Sequence, residues 1–247
     1  MTGVWGIVGG SGLNRIAERW DTVRGTNTPY GDASAPVQQA QIGRRRVLFL
    51  ARHGQPHRLP PHRVNYRANL FALVDAGATA ILATNAVGGI TRFMQTGDIV
   101  LPDQIVDYTY GREHTYMDES RLDHVDFTYP YDAKLRARIL TAASHASVPG
   151  VAHDRAVYAC TQGPRLESAA EIDRLERDGC DVVGMTGMPE AGLARELGVP
   201  YASICLVVNR AAGRSAGVLS NDEIMRVAEL GMQRVATLIA EVVSADP

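Results

Sequence analysis

Three apolar segments in the second half of the chain, each ending in small or polar residues, constrain the fold more than any other feature. They cover residues 155–161, 181–184 and 201–208, and stretches with helical spacing separate them. Short apolar strands that alternate with helices are typical of an α/β sheet. Because ligands of such sheets bind beyond the strand ends, the residues that follow these segments are the first candidates for a functional site.

The side chains at these strand ends are suited to holding a small polar molecule. They include the carboxylates of Glu167 and Glu190, the carboxamide of Asn209, and the thioether and hydroxyl of Met185 and Thr186. These groups accept or donate hydrogen bonds, and none of them is an obvious nucleophile. We therefore predict a site that binds a hydrogen-bonding ring together with a polyhydroxyl group.

Size and charge narrow the class of protein. A chain of 247 residues with 45% hydrophobic content can bury a sizeable core, so we predict one domain over residues 1–247. A formal charge of -2 and a pI near 6.4 leave no basic excess for binding nucleic acid or an anionic membrane. No apolar segment approaches the ~18 residues of a membrane span, and glycines interrupt the N-terminal region where a signal peptide needs an apolar core. We expect a cytoplasmic protein.

The cysteines and histidines do not form a recognisable metal site. Cys160, Cys180 and Cys205 lie in apolar surroundings without metal-ligand spacing, so we predict that they are free and buried. The histidine-rich segment 53–62 lacks a carboxylate or cysteine to complete a site, so no metal is predicted.

An anion site is predicted where two strands of the first half end. The strand Val4–Val8 runs into a glycine-rich turn that contains Ser11, and such a turn lets backbone N–H groups approach an anion closely. The strand Val47–Ala51 ends in Arg52 and His53, which offer a charged planar fork and a further donor. A dinucleotide fold needs an acidic residue near the end of its second strand, so we favour phosphate over a dinucleotide.

A third strand, Ala78–Thr84, also ends in small and polar residues. Thr84 or Asn85 can donate to an anion, but each residue is also common in turns, and this alternative role is nearly as plausible. The strand at 99–108 and the polar, aromatic segment 111–131 follow, and the latter is predicted to be a long ordered loop that contacts another subunit. Helices are predicted over residues 64–76, 132–147, 168–178, 189–197 and 221–243.

Six short motifs, in this order, resemble the trimeric purine nucleoside phosphorylases, in the branch that includes methylthioadenosine and methylthioinosine phosphorylases. The resemblance covers essentially the whole chain and implies a homotrimer. It also implies a single α/β domain around a mixed, twisted, partly barrel-like sheet flanked by helices. The motifs are Gly-Gly-Ser-Gly-Leu at 9–13, Ala-Arg-His-Gly at 51–54, Val-Asn-Tyr-Arg-Ala-Asn at 64–69, Thr-Asn-Ala-Val-Gly-Gly at 84–89, Gln-Gly-Pro-Arg-Leu-Glu at 162–167 and Gly-Met-Thr-Gly-Met-Pro-Glu at 184–190.

The resemblance implies phosphorolysis, in which inorganic phosphate attacks C1′ of a nucleoside and releases the base. No cofactor is expected, since phosphate is a co-substrate. The residues expected to bind phosphate are Ser11, Arg52, His53, Asn85, Ala86 and Thr186. The residues expected to act in catalysis are Asn209, Glu167 and His53, and those expected to bind the nucleoside are Met185, Glu167, Asn209, Val183, Leu166, Asn221, Met225 and, reaching from a neighbouring subunit, His124.

Two residues favour a 6-oxopurine base. The Glu167 carboxylate accepts from the N1–H of hypoxanthine or guanine but meets an unpaired acceptor in adenine. Asn209 can bond N7 and O6, whereas the adenine-specific methylthioadenosine enzymes that the chain resembles carry aspartate there and lack the Glu167 equivalent. The alternative role for Glu167 is a carboxylate at a helix start that satisfies backbone N–H groups.

The group at the 5′ carbon is less constrained. Leu219 and Met225 are apolar and fit a methylthio group, whereas Asn221 can bond a 5′-hydroxyl. We favour methylthioinosine, followed by inosine and guanosine. Methylthioadenosine phosphorylase is the nearest alternative enzyme, and a non-catalytic nucleoside-binding module is the alternative from another class.

Overall fold

The ten β-strands in the described part of the chain belong to one sheet. The protein is represented by a computed structural model that describes residues 3–10, 13, 20–120, 122–145, 152–217 and 220–245. The strands are β1 (Val4–Gly9), β2 (Asp21–Arg24), β3 (Val37–Ile42), β4 (Arg45–Ala51), β5 (Ala78–Gly89), β6 (Ile99–Val100), β7 (Gln104–Tyr108), β8 (Val157–Thr161), β9 (Val182–Gly184) and β10 (Tyr201–Arg210).

The long strand β5 is the centre of this sheet. The order is β2-β3-β4-β1-β5-β9-β8-β7, and β10 pairs with both β5 and β6. Strands β1 and β10 run parallel to β5, whereas β9 pairs with its last residues in the antiparallel sense. Gly88 of β5 therefore has Val183 on one side and Asn209 on the other. The sheet is mixed, as predicted, and this junction brings two predicted site residues together.

The helices cover both faces of the sheet. Alternate residues of β5 pack into two different apolar clusters: Leu82 lies in a cluster with residues from α2 and α5, and Ile81 lies in a cluster with residues from α1 and α4. Since successive side chains of a strand point to opposite faces, one pair of helices covers each face. The helices are α1 (Tyr66–Asp75), α2 (Ala133–His145), α3 (Ala169–Arg177), α4 (Glu190–Glu196) and α5 (Asn221–Ser244), with a 3₁₀ turn at Pro61–Arg63.

Side-chain caps explain where three of these helices begin. The Asn65 side chain accepts from the Ala68 amide at the start of α1, and Ser220 accepts from the Glu223 amide at the start of α5. Ser168 and Glu171 form a reciprocal capping box at the start of α3. These caps satisfy N–H groups that have no partner within a helix, so they fix the start positions.

Most predicted elements are confirmed within a few residues, but two strand predictions differ from the structure. The predicted strand Ala78–Thr84 continues to Gly89, so Thr84 and Asn85 lie within β5. The predicted strand over 99–108 is wrong. It is two strands, because Pro102 has no N–H and the amides of Leu101 and Asp103 bond residues 153 and 156. Strands β2 and β3 were not predicted, since their residues are largely polar and lack a continuous apolar run. The cysteines at 160, 180 and 205 are free and buried, as predicted. Within the described residues, no helix is long and apolar enough to cross a membrane.

Gly89→Ala should destabilise the protein, because a Cβ at this position would lie 2.2 Å from the Met94 carbonyl oxygen. That carbonyl also accepts from Arg210 at 2.7 Å, so the neighbouring backbone is held in place. We expect the free energy of unfolding to fall by about 1–3 kcal/mol in urea unfolding. Gly25→Ala is the matched control, because nothing lies within 4 Å of its added Cβ. Equal stability of the two variants would contradict the steric argument.

Candidate active site

One cavity of about 1200 Å³ collects the predicted site residues from separate motifs. It is bordered by the carboxyl-terminal parts of β5, β9 and β10, by residues that follow β1, β4 and β8, and on one side by residues 224–233 of α5. The predicted residues that line it are Arg52, His53, Asn85, Ala86, Leu166, Glu167, Val183, Met185, Thr186, Asn209 and Met225.

Among the other predicted residues, the side chains of three fall outside what the structure describes, and His124 is described but is not among the residues that line the cavity. Ser11 and Leu219 lie outside the described residues, and so does the side chain of Asn221. His124 is exposed. The role predicted for His124 concerns a neighbouring subunit, so it stays a prediction.

Arg52 is held in a buried ion pair at the wall of the cavity. It is 2% exposed and its partner Glu190 is 0% exposed. Nε and Nη2 of Arg52 donate to the two Glu190 oxygens at 2.8 and 2.7 Å, and Nη1 donates to the Thr84 carbonyl at 2.8 Å. Tyr201 donates to Glu190 at 2.8 Å. Because a guanidinium has five N–H bonds, one on each Nη remains for a ligand in the cavity.

Glu190 is therefore the ion-pair partner of Arg52. Its position near a strand end suggested that it contacts the ligand, but it is not among the residues that line the cavity. Burial by itself lowers the pKa of Arg52, but the adjacent Glu190 carboxylate outweighs burial and holds this pKa above its usual value. Removing either partner would leave the other charge buried and unpaired, which is strongly destabilising. The pair gives Arg52 a fixed orientation and a charge that is already compensated.

His53 is neutral and has a defined tautomer. Its Nδ1 lies 2.8 Å from the Leu59 carbonyl oxygen, and since a carbonyl can only accept, Nδ1 carries the proton. Burial, followed by the charge of Arg52, lowers the pKa of His53 from 6.5 to about 4. The ring stacks on His57, which also lines the cavity, with 4.4 Å between ring centroids. At neutral pH, Nε2 of His53 is therefore an acceptor, and the prediction that His53 supplies a further donor to the anion is wrong.

The side chains of Thr186, Asn85 and Ser203 form a continuous series of hydrogen bonds in the core. Thr186 Oγ1 donates to Asn85 Oδ1 at 2.7 Å, and Asn85 Nδ2 donates to Ser203 Oγ at 2.6 Å. Asn85 borders the cavity, but both ends of its carboxamide bond protein atoms. It therefore orients Thr186, in addition to the ligand role predicted for it. Reversing the carboxamide would free the Thr186 hydroxyl to donate into the cavity.

The sequence predicted that either Thr84 or Asn85 donates to an anion, and the structure favours the Thr84 hydroxyl. It is buried, borders the cavity, and has no hydrogen-bond partner among the described residues. Because buried hydroxyls normally have a partner, a ligand in the cavity is the natural one. Asn85, by contrast, already bonds protein atoms, so the hydroxyl of Thr84 is the freer of the two groups.

Glu167 and Asn209, the two residues predicted to bind the base, both line the cavity. Glu167 Oε1 accepts from the Thr161 hydroxyl at 2.7 Å, which leaves Oε2 for a ligand. The alternative role of Glu167 as a helix cap is not supported, because Ser168 and Glu171 already cap α3. Asn209 Nδ2 donates to the Arg210 carbonyl at 2.7 Å and keeps one N–H and its oxygen free of that bond.

Glycines keep the cavity open beside Asn209 and Met185. A Cβ at Gly88 would lie 3.3 Å from Val183 and 3.4 Å from Asn209, and a Cβ at Gly163 would lie 2.5 Å from Met185 Sδ. Gly163 also has a φ of +61°, which favours glycine. The thioether of Met185 therefore packs directly on the segment that leads to Glu167.

Sequence reasoning missed most of the residues that α5 contributes. Ile224, Ala228 and Met232 line the cavity at i, i+4 and i+8, so the apolar stripe of this helix faces the ligand as well as the core. The periodicity was visible in the sequence, but it does not distinguish a core face from a cavity wall. The other cavity-lining residues that were not singled out include Gly10, His57, Pro61, Ala211, Ala212, Arg226, Glu229 and Gln233.

Known proteins match the chain over nearly its whole length. The family model described as "Phosphorylase superfamily" matches residues 5–244. A protein of Pseudomonas syringae pv. tomato named probable S-methyl-5'-thioinosine phosphorylase is 54% identical over 98% of this chain and 99% of its own length. The 6-oxopurine nucleoside phosphorylase of Pyrococcus furiosus is 43% identical over 94% of this chain and 89% of its own length.

The fold is also similar to solved structures. Methylthioadenosine phosphorylase from Schistosoma mansoni, in complex with adenine, superposes with a TM-score of 0.88 and 31% identity. The match covers 97% of this chain and 90% of that chain.

The neutral state of His53 predicts a pH dependence of stability. Because its pKa falls from 6.5 to about 4 on folding, the unfolded chain binds a proton at pH values where the folded protein does not. The free energy of unfolding should therefore decrease as the pH falls from about 6.5 towards 4. His53→Asn, which can still donate to the Leu59 carbonyl, should lessen this decrease in urea unfolding at about pH 7 and pH 5.

His124→Asn controls for the loss of a histidine as such, because that side chain is exposed. A decrease of the same size in the wild type and in His53→Asn would contradict the assignment of a buried neutral ring to His53.

Proposed function

The chain belongs to the phosphorylase superfamily, and on that premise we propose that it converts S-methyl-5'-thioinosine and phosphate into hypoxanthine and 5-methylthioribose 1-phosphate. It is a nucleoside phosphorylase, and hence a pentosyltransferase. The observation that carries the choice of base is the free carboxylate oxygen of Glu167, in the same cavity as the Asn209 carboxamide.

The proposed reaction needs a held phosphate and a stabilised leaving group. A phosphate oxygen forms a bond to C1′ while the bond from C1′ to N9 breaks, and the electron pair of that bond leaves with the base. The transition state resembles an oxocarbenium ion, so the phosphate dianion must lie close without losing its charge. Because Glu190 already compensates Arg52, the guanidinium offers directed N–H donors without a full excess charge. No cofactor takes part.

The base end favours a 6-oxopurine. Oε2 of Glu167 can accept from N1–H of hypoxanthine, and Asn209 can donate its remaining N–H to N7 as negative charge develops on the ring. Adenine would place a bare acceptor against Glu167. The names of two relatives, a probable methylthioinosine phosphorylase and a 6-oxopurine nucleoside phosphorylase, agree with this preference.

The 5′ end favours a methylthio group over a hydroxyl. Ile224, Met225 and Met232 of α5 line that side of the cavity and provide apolar contact for an S-methyl group. Burying a methylthio group among such side chains is favourable by roughly 0.8 kcal/mol per methyl-sized unit. Inosine is the second candidate substrate, because the predicted role of Asn221 in binding a 5′-hydroxyl stays open.

We extend the proposal to a cytoplasmic homotrimer that acts in purine salvage. Large side chains at Phe93, Leu122 and Tyr129 are exposed on the single chain, and two of them flank His124, which is predicted to reach a neighbouring site. Contact between copies would bury them. Light scattering should give three times the chain mass of 26.7 kDa, and a monomer at working concentration would contradict this part of the proposal.

A substrate panel tests the proposed reaction. Phosphate-dependent base release should give a kcat/KM for methylthioinosine at least ~10-fold above that for methylthioadenosine, because each unpaired buried polar group costs about 1–3 kcal/mol. Methylthioinosine should also exceed inosine. Asn209→Asp should lower kcat/KM for methylthioinosine by more than ~10-fold and affect methylthioadenosine less, because a carboxylate repels the 6-oxo group and accepts from a 6-amino group.

Asn27→Asp, the same change at an exposed position, is the matched control and should leave the panel unaltered. Faster release of adenine than of hypoxanthine by the wild type would overturn the proposed base preference, and no release from any nucleoside would overturn the proposed activity.

A further inference from the structure

A buried arginine outside the cavity joins the two segments that hold the nucleoside. Arg112 is 9% exposed, lies in the loop after β7, and is not among the residues that line the cavity. We propose that Arg112 is a positioning residue, which fixes the segment carrying Glu167 against the segment carrying Met185. The inference rests on the proposed function, since it concerns the nucleoside end of that same site.

The guanidinium of Arg112 directs its N–H groups at the ends of β8 and β9. Nε donates to Gln162 Oε1 at 3.1 Å, and Nη2 donates to the carbonyls of Gln162 and Thr161 at 2.9 and 3.3 Å. Nη1 donates to the carbonyls of Met185 and Met188 at 2.9 and 2.6 Å. Four backbone carbonyls from two separate segments therefore converge on one side chain.

Arginine suits this position because the two strands stop pairing there. The last residues that β8 and β9 pair with each other are Cys160 and Gly184, so beyond this point no strand pairing holds these two segments together. Buried carbonyls need donors, and only arginine carries five N–H groups in a planar fork. Among the described residues, no carboxylate is hydrogen-bonded to Arg112, in contrast to Arg52.

Arg112 contacts Tyr66, and the loop that carries Arg112 is bonded to α4. The guanidinium lies over the Tyr66 ring at 5.4 Å, and Nη1 reaches the Tyr66 hydroxyl at 3.3 Å. Thr115 and the Tyr116 amide donate to Glu196 of α4 at 2.8 and 2.7 Å. The first part of the loop at 111–131, predicted as a subunit contact, is therefore tied to its own chain. The motif residue Tyr66 supports Arg112 and does not line the cavity.

The nucleoside groups depend on the segments that Arg112 holds. The Thr161 hydroxyl binds Glu167 Oε1 at 2.7 Å, and the Met185 side chain packs on Gly163 in the same segment. A shift of one segment relative to the other would separate the base-binding carboxylate from the ribose-binding thioether. A misplacement of about 1 Å can lower a rate by about 100-fold.

The phosphate groups have other supports. Arg52 is fixed by Glu190 and by the Thr84 carbonyl, and Thr186 is fixed by Asn85. Loss of Arg112 should therefore act on the nucleoside and leave phosphate affinity nearly unchanged. A merely structural role would weaken both substrates together.

Steady-state kinetics with both substrates test this proposal. Arg112→Met keeps the apolar length but removes every donor, and we expect kcat/KM for methylthioinosine to fall by about 100-fold while KM for phosphate changes by less than about 3-fold. Arg112→Lys supplies three donors without a fork and should fall between Arg112→Met and the wild type. Arg174→Met, at an arginine whose side chain is 67% exposed, is the matched control and should match the wild type.

Two results would overturn the proposal. One is a folded Arg112→Met with wild-type kinetics for the nucleoside. The other is a parallel loss for nucleoside and phosphate that follows a lowered melting temperature. If Arg112→Met does not fold, Arg112→Lys replaces it in the test. Arg112→Lys must then show a smaller loss of kcat/KM for methylthioinosine with little change in KM for phosphate, and equal losses for both substrates overturn the proposal.

Calorimetry separates this inference from the proposed activity. If the wild type binds methylthioinosine but does not turn it over, the proposed phosphorylase activity is rejected. The role of Arg112 is then tested separately, by comparing the affinity of the wild type and of Arg112→Lys for methylthioinosine. Weaker binding to Arg112→Lys than to the wild type supports positioning, whereas equal affinity, or no binding to either protein, overturns it.

Discussion

The buried ion pair between Arg52 and Glu190 is the constraint on which the anion end of this protein depends. Two charges taken out of water are tolerated only when their geometry is good and their remaining hydrogen-bonding groups are satisfied. Here Tyr201 completes Glu190 and the Thr84 carbonyl completes one edge of Arg52. The pair therefore joins the end of β4, the middle of β5, the start of α4 and the start of β10 around one side of the cavity.

The two buried arginines of the site solve different problems. Arg52 has a carboxylate partner, so it can border a dianion without drawing much charge from it. Arg112 bonds neutral carbonyls and a tyrosine, so its donors organise backbone where two strands separate. In the proposed function, Arg52 offers donors to the attacking phosphate, and Arg112 holds together the two segments that bind the nucleoside. Under both proposed roles, phosphate binding therefore depends on the Arg52–Glu190 ion pair, whereas the shape of the nucleoside pocket depends on the bonds between Arg112 and backbone carbonyls.

Strand β5 connects these two ends. Thr84, Asn85 and Gly88 of this strand all line the cavity, and at Gly88 the strand meets Val183 and Asn209 on opposite edges. A Cβ at Gly88 would lie 3.3 Å from Val183 and 3.4 Å from Asn209, so glycine leaves open the space beside both residues. In the proposed function, this twelve-residue strand connects the phosphate end of the cavity with the purine end.

The sequence by itself determined the strand and helix pattern of the second half, the mixed α/β class and eleven of the residues that line the cavity. Apolar runs, caps and polar strand ends are local signals and predicted the elements, whereas the mixed sheet and residues such as Ala86, Val183 and Met225 followed from the resemblance of the motifs to a family. Strands β2 and β3, the division of residues 99–108 and the partners of Arg52 and Arg112 were decided only in the tertiary structure. Arg52 and Glu190 are 138 residues apart, and Arg112 and Met185 are 73 apart. No local pattern contains such a contact, because it exists only once the sheet has brought distant strand ends together.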